Sequence, residues 1–224
     1  MQSLKDKIYS TLAIGTFVLG SLFSDNKNNL NNNEINSSSI IEMSMFGNLE
    51  NRVNNSFESV PSEESLQEGD NLQEYINTRY RIRMEYPSNW EKLENYMDTI
   101  VLFRSQNENP VDDFRENINL VIQDLPEGIT TLEEYAKLSI EEIKRSFRNV
   151  KIIQQHEINM NNNPGYVIRY TAKFQEEGKY YDLFIGIFCT LKDNKVFSLI
   201  YAKEKDNDIF DREAEMIARS FKFY

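Results

Sequence analysis

From Tyr80 to Tyr86 the chain alternates strictly. Tyr80, Ile82, Met84 and Tyr86 share one parity, and Arg81, Arg83 and Glu85 take the other. That period of two marks a half-buried strand. Pro87 cannot donate to a ladder and holds Tyr86 extended, so the strand is predicted to stop at a corner that carries Trp90, the single tryptophan. "TIVLFRS" (99–105) and "NINLVIQDL" (117–125) are the next predicted strands, with the polar "NENPVDDFRE" between them. In "TTLEEYAKLSIEEIKRSFRN" the residues Leu132, Ala136, Ile140, Ile143 and Phe147 fall on one helical stripe. Thr131 with Glu134 fits a capping box, and Lys144, Arg145 and Arg148 suit the helix C-terminus.

Four strands then follow closely, predicted over 150–158, 166–174, 180–190 and 195–202. Their links, "NMNNNPG", "QEEGK" and "LKDN", are short and rich in turn formers, so neighbours should pair antiparallel. Phe210, Ala214, Ile217 and Phe221 mark a second amphipathic helix, with Asp206 or Asp208 as its expected cap. Strands, a helix, a four-strand meander and a second helix give an α+β fold, helices covering a mainly antiparallel sheet.

The remaining chain differs in character. Residues 1–24 place Lys5 and Lys7 ahead of an uncharged run over 8–24, the pattern of a signal peptide or of an N-terminal membrane anchor. Residues 25–74 hold 12 Asn and ten acidic residues against Lys27 and Arg52, with no periodic apolar face. Such a segment buries too little apolar area to offset ordering and reads as a disordered acidic tether. Residues 75–224 are then the folded domain.

The formal charge is −11 over 224 residues, but the tether carries −8 of it and residues 75–224 only −4. With no concentrated basic surface, a nucleic-acid partner is excluded. One cysteine, Cys189, and one histidine, His156, exclude an intrachain disulfide and most zinc or nucleophile–histidine sites.

Candidate chemistry is sparse. Asp112, Asp113 and Glu116 cluster before a strand and offer oxygen ligands to a divalent cation. They lack a fixed coordination spacing, so a solvated loop with Arg115 pairing one of them is the plainer reading. Asp206, Asp208 and Asp211 lack the glycine and distal glutamate of a calcium loop, and helix capping accounts for them better. His156 shares strand parity with Val150, Ile152 and Ile158 and should be partly buried. Cys189 alternates with Leu183, Ile185 and Ile187 and reads as an inert core thiol, with another strand between it and His156. No catalytic, cofactor or metal residue is assigned.

The ordered set "YRIRMEYPSNWEK", "IVLFRS", "VDDFRENINLVIQDL", "TLEEYAKLSIEEIK", "GYVIRYTAKF" and "MIARSFKF" spans residues 77–224. It resembles the PsbP family, the extrinsic proteins of photosystem II and their PsbP-like relatives. The resemblance implies an α-β-α sandwich around an antiparallel sheet. It also implies a non-enzymatic module outside the cytoplasm that binds or stabilises a protein complex at the outer or luminal face of a membrane. A photosystem II subunit supporting calcium and chloride retention at the manganese cluster is one alternative. A carrier of a small ligand or divalent metal is the other.

Overall fold

The computed structural model describes residues 71–96, 98–109, 114–176 and 179–224. The apolar N-terminal run and residues 25–70 of the acidic segment lie outside them. The described chain forms β1 (Leu72–Asn77), β2 (Ile82–Pro87), β3 (Glu91–Glu94), β4 (Val101–Arg104), β5 (Asn117–Asp124) and helix α1 (Leu132–Ser146). It continues through β6 (Arg148–Met160), β7 (Asn163–Glu176), β8 (Lys179–Lys192), β9 (Lys195–Glu204), helix α2 (Asp211–Ser220) and β10 (Lys222–Phe223).

Seven strands pair antiparallel in the order β3-β4-β5-β9-β8-β7-β6, and three more in the order β1-β2-β10. Residues opposite one another across a ladder share a face. Leu102, Asn119, Ile200 and Ile187 therefore stand in one row, on the side where α1 packs. Phe103, Ile118 and Tyr201 stand on the other side, beneath the small sheet and α2. Tyr86 of β2 meets Phe103 at 4.7 Å between ring centroids, and Phe223 of β10 meets Phe197 edge-on at 4.9 Å. The expected α+β sandwich is the observed architecture.

Local chemistry explains most boundaries. In β2, Ile82, Met84 and Tyr86 are buried, as the alternation predicts. Tyr80 is not in the strand, because Arg81 sits in the left-handed region (φ 52°) and closes a turn. Three strands have no counterpart in the sequence pattern: β1, β3 and the two-residue β10, which follows directly on α2. β1 has a single buried residue, Tyr75, and opens at Leu72, inside the segment assigned to the tether. β3 reads Glu-Lys-Leu-Glu and carries almost no apolar signal.

Helix α1 has the capping box in full: Glu134 N–H donates to Thr131 Oγ1, and Thr131 N–H donates back to Glu134 Oε2, both at 3.1 Å. The β6–β7 and β8–β9 hairpins turn on Asn161-Asn162 and Asp193-Asn194, all four with positive φ. Such two-residue turns match the twist of the flanking strands. Where β7 passes β8, Gly165 leaves the space that Phe188 fills, since a Cβ there would lie 2.2 Å from the ring.

The cap predicted for α2 is not made. Phe210 holds the N-cap position with no side-chain hydrogen bond, and Asp208 is engaged elsewhere. β6 departs from its simple parity as well. Its register against β7 gains one residue between Ile152 and Gln154, a bulge at Ile153. One inserted residue flips every later side chain to the other face. Ile152 therefore lies opposite Tyr170 on the α1 side, whereas His156 lies opposite Val167 on the far side.

Candidate functional site

Two connections meet at one end of the large sheet: residues 105–116 between β4 and β5, and residues 205–210 between β9 and α2. Ser105 N–H donates to Glu116 O at 2.8 Å, so the two chain ends continue the ladder past its last formal pair. Glu116 is only 1% exposed. Its Oε1 accepts from Asn207 Nδ2 at 2.8 Å and its Oε2 from Ser105 Oγ at 3.4 Å. Asn207 Nδ2 also donates to Glu108, and Asn207 Oδ1 accepts from Ile209 N–H at 3.2 Å.

Beside this tie lies Lys203, whose side chain is 6% exposed. Its amine donates to Asp208 Oδ1 at 2.5 Å and to Asp211 Oδ2 at 2.8 Å, and it sits 5.4 Å from the centre of the Phe184 ring. Tyr201 donates its hydroxyl to Asp211 Oδ1 at 2.8 Å. Burial pushes the Tyr201 phenol well up, and the nearby carboxylates of Asp211, Glu116 and Asp208 push it further. Phe210 follows the loop and meets Trp90 edge-on, with centroids 6.0 Å apart.

A second charged group forms on the α1 side. Glu91 accepts from Arg104 Nη2 at 3.0 Å and from Arg115 Nη1 at 2.8 Å. Burial pushes the Glu91 carboxyl up, but its bonds to Arg104 and Arg115 and their charges outweigh that, so it rests below the usual range. Arg115 Nε also donates to Ser105 O at 2.5 Å.

These positions revise several expectations. Asp112 and Asp113 lie outside the described residues. Glu116 is not a solvated loop carboxylate, because the next residue enters β5 and the Asn207 side chain closes over it. Arg115 is engaged by Glu91. Asp208 and Asp211 clamp Lys203 instead of capping a helix, while Asp206 is exposed. Among the described residues no group of three or more His, Cys, Asp or Glu side chains could hold a metal ion.

Cys189 is 1% exposed, 3.5 Å from Ser198 Oγ, and burial pushes its thiol up to about 11. β7 separates its strand from that of His156, as expected. Among the described residues no helix is long and apolar enough to cross a membrane.

The sequence reading missed Asn207, whose partners Glu116 and Glu108 are 91 and 99 residues away, and Lys203 and Ser105, whose partners are nearer but follow no strand or helix spacing. It also passed over Asn117 and Asn119, which alternate with Ile118 and Leu120 and look like an ordinary polar face. Both are buried. Asn117 Oδ1 and both polar atoms of Asn119 have no hydrogen-bond partner, and neither does Trp90 Nε1.

The model of the PsbP family matches residues 70–223. The chain belongs to the PsbP family. No curated protein matches the sequence. Among solved structures, the cyanobacterial PsbP of Synechocystis sp. PCC 6803 is similar with 16% identity and a TM-score of 0.48, covering 74% of this chain and 98% of its own. LpqN of Mycobacterium tuberculosis, described as involved in cell envelope biogenesis, gives 12% identity and a TM-score of 0.49 over 68% of this chain and 91% of its own. A protein of unknown function from Pseudomonas aeruginosa, a putative regulator, gives 15% and 0.43 over 64% and 90%. The PsbP match begins two residues before β1, in keeping with a domain that opens earlier than residue 75.

Proposed function

We propose that this PsbP-family chain is a non-catalytic module working outside the cytoplasm, where it binds or stabilises a partner protein complex at a membrane surface. The observation that carries this reading is how the ionisable and nucleophilic groups are engaged. Glu116 and Lys203 are tied to loop residues, and the Cys189 thiol is withdrawn from solvent with a raised pKa. A thiolate nucleophile needs the opposite environment. Interior polar groups here fix the shape of the connections, as a recognition scaffold requires.

The apolar run over 8–24 and the acidic segment after it support an exported, tethered location. A photosystem II subunit is the special case within the family. Location is tested by adding protease to intact cells that make the full chain with a C-terminal tag. Loss of the tag with cytosolic proteins intact supports the reading. Recovery of the chain with residues 1–24 intact in a soluble cytosolic fraction contradicts it.

One observation favours a second reading, a small-ligand carrier. Three polar atoms of Asn117 and Asn119 lie unpartnered and adjacent on the α1 side of β5. Buried amides without partners are costly, and a bound molecule would relieve them. Titration calorimetry of the full chain with Ca²⁺, Mn²⁺ and Zn²⁺ tests the divalent-metal form of that reading. No heat at millimolar metal ends it.

A further inference from the structure

Ile209 is 63% exposed, the highest value among the large apolar side chains of the described residues. Single exposed apolar residues are ordinary on a protein surface. This one differs in how firmly its backbone is fixed. On one side Asn207 accepts the Ile209 N–H and donates to Glu116 and Glu108 across the sheet end. On the other, Phe210 seats against buried Trp90, and Asp208 and Asp211 grip the Lys203 amine.

Starting α2 does not require all of this. The helix begins at Asp211 without a side-chain cap, and the bonds from Asn207 reach residues 91 and 99 positions away on the β4–β5 connection. A loop held at both flanks presents its central side chain with little ordering left to do on binding, which is what an interface anchor needs. Its surroundings are acidic. Residues 203–213 hold five carboxylates against Lys203, Lys205 and Arg212, and the exposed Glu108 adds a sixth, so the surface around Ile209 stays net negative even with Lys203 gripped by Asp208 and Asp211.

We propose that Ile209 is a preorganised anchor that inserts into an apolar pocket rimmed by Lys or Arg on the partner protein. This rests on the partner-binding reading above and names the surface and the chemistry that binding would use. Electrostatic complementarity of that kind sets orientation and association rate, and it weakens with salt.

The test uses the full chain in its native membranes, with the photo-crosslinker p-benzoylphenylalanine placed at 209 or, as controls, at the exposed positions 153 and 180. Position 209 should yield a protein adduct, and 153 and 180 should not. The adducted partner peptide should carry Lys or Arg beside apolar residues. Raised salt should lower the yield. Ile209→Ser should weaken association of an otherwise unlabelled chain by about tenfold, with the melting temperature unchanged. Asn207→Ala, which frees the loop, should lower the adduct yield from position 209.

Adducts from 153 or 180 with none from 209 overturn the anchor while sparing the partner-binding reading. No protein adduct from any of the three positions overturns the anchor, and the partner-binding reading falls with it only if affinity capture of the full chain from the same membranes also recovers no complex. An adduct at 209 that survives high salt, or falls on an acidic segment, overturns the basic-rimmed pocket.

Discussion

Asn207 Nδ2 stands 2.8 Å from Glu116 Oε1, a bond that joins the loop before α2 to the entry of β5 across 91 residues of sequence. It makes a buried carboxylate the fastener between two surface connections. Glu116→Ala leaves Asn207 and Ser105 without that acceptor. The expected loss is about 1–3 kcal/mol in urea unfolding. Glu116→Gln, which keeps an acceptor oxygen, should lose less. Equal losses for the two variants would place the role of Glu116 in its charge.

Lys203 is held by two carboxylates while its own side chain is nearly buried. Lys203→Met removes two charge-assisted bonds and should cost about 1.5–3 kcal/mol. Because Asp208 is itself largely exposed, it can rehydrate, so the larger cost of an uncompensated buried charge is not expected. Urea denaturation of the two proteins checks this.

Trp90 is 3% exposed and packs edge-on against Phe210. Trp90→Ala should cost about 3–5 kcal/mol as a fully buried aromatic. A loss below about 1 kcal/mol, measured by circular dichroism melting, would contradict the packing role.

Burial raises the Cys189 thiol from 9.0 to about 11. The unfolded thiol ionises first, so its stabilisation is complete below pH 9 and is lost as pH rises towards 11. The expected decline is about 3 kcal/mol across that window. Buried Tyr135 and Tyr170 are also pushed up, so the decline must be read as the difference from Cys189→Ala. At pH 8 the native thiol should resist iodoacetamide that modifies the unfolded chain fully. Identical pH curves for the two proteins would contradict the assignment.

Asn119 has neither polar side-chain atom paired. Asn119→Leu should be neutral or stabilising, because it removes unpaired buried groups while keeping the same branched shape, provided the α1 side accommodates the bulkier methyl groups. A loss above about 2 kcal/mol would mean that a bound molecule or water occupies the site in solution.

Patterns within a few residues were readable from the sequence. The parity of Ile82, Met84 and Tyr86, the Thr131–Glu134 cap and the turn-forming links of the meander all rest on near neighbours, and all appear in the fold. What was not readable depends on partners far along the chain or on one inserted residue. β3 is a strand because β4 pairs with it, not because Glu-Lys-Leu-Glu favours one. The bulge at Ile153 moves His156 to the opposite face without altering the apolar pattern. Glu116, Lys203 and Asn207 come together only through the register of β5 with β9 and the loop that follows it. A charged residue beside a strand gives no local sign that it will be buried.

The central claim is that the chain binds a protein complex without catalysing a reaction. Its most direct test is affinity capture of the tagged full chain from native membranes, comparing the unaltered sequence with a Cys189→Ala, His156→Ala double variant. The expected result is one defined complex at fixed stoichiometry, recovered equally by both. Absence of any complex, or a cellular phenotype lost in the double variant while its fold and complex persist, would contradict the claim.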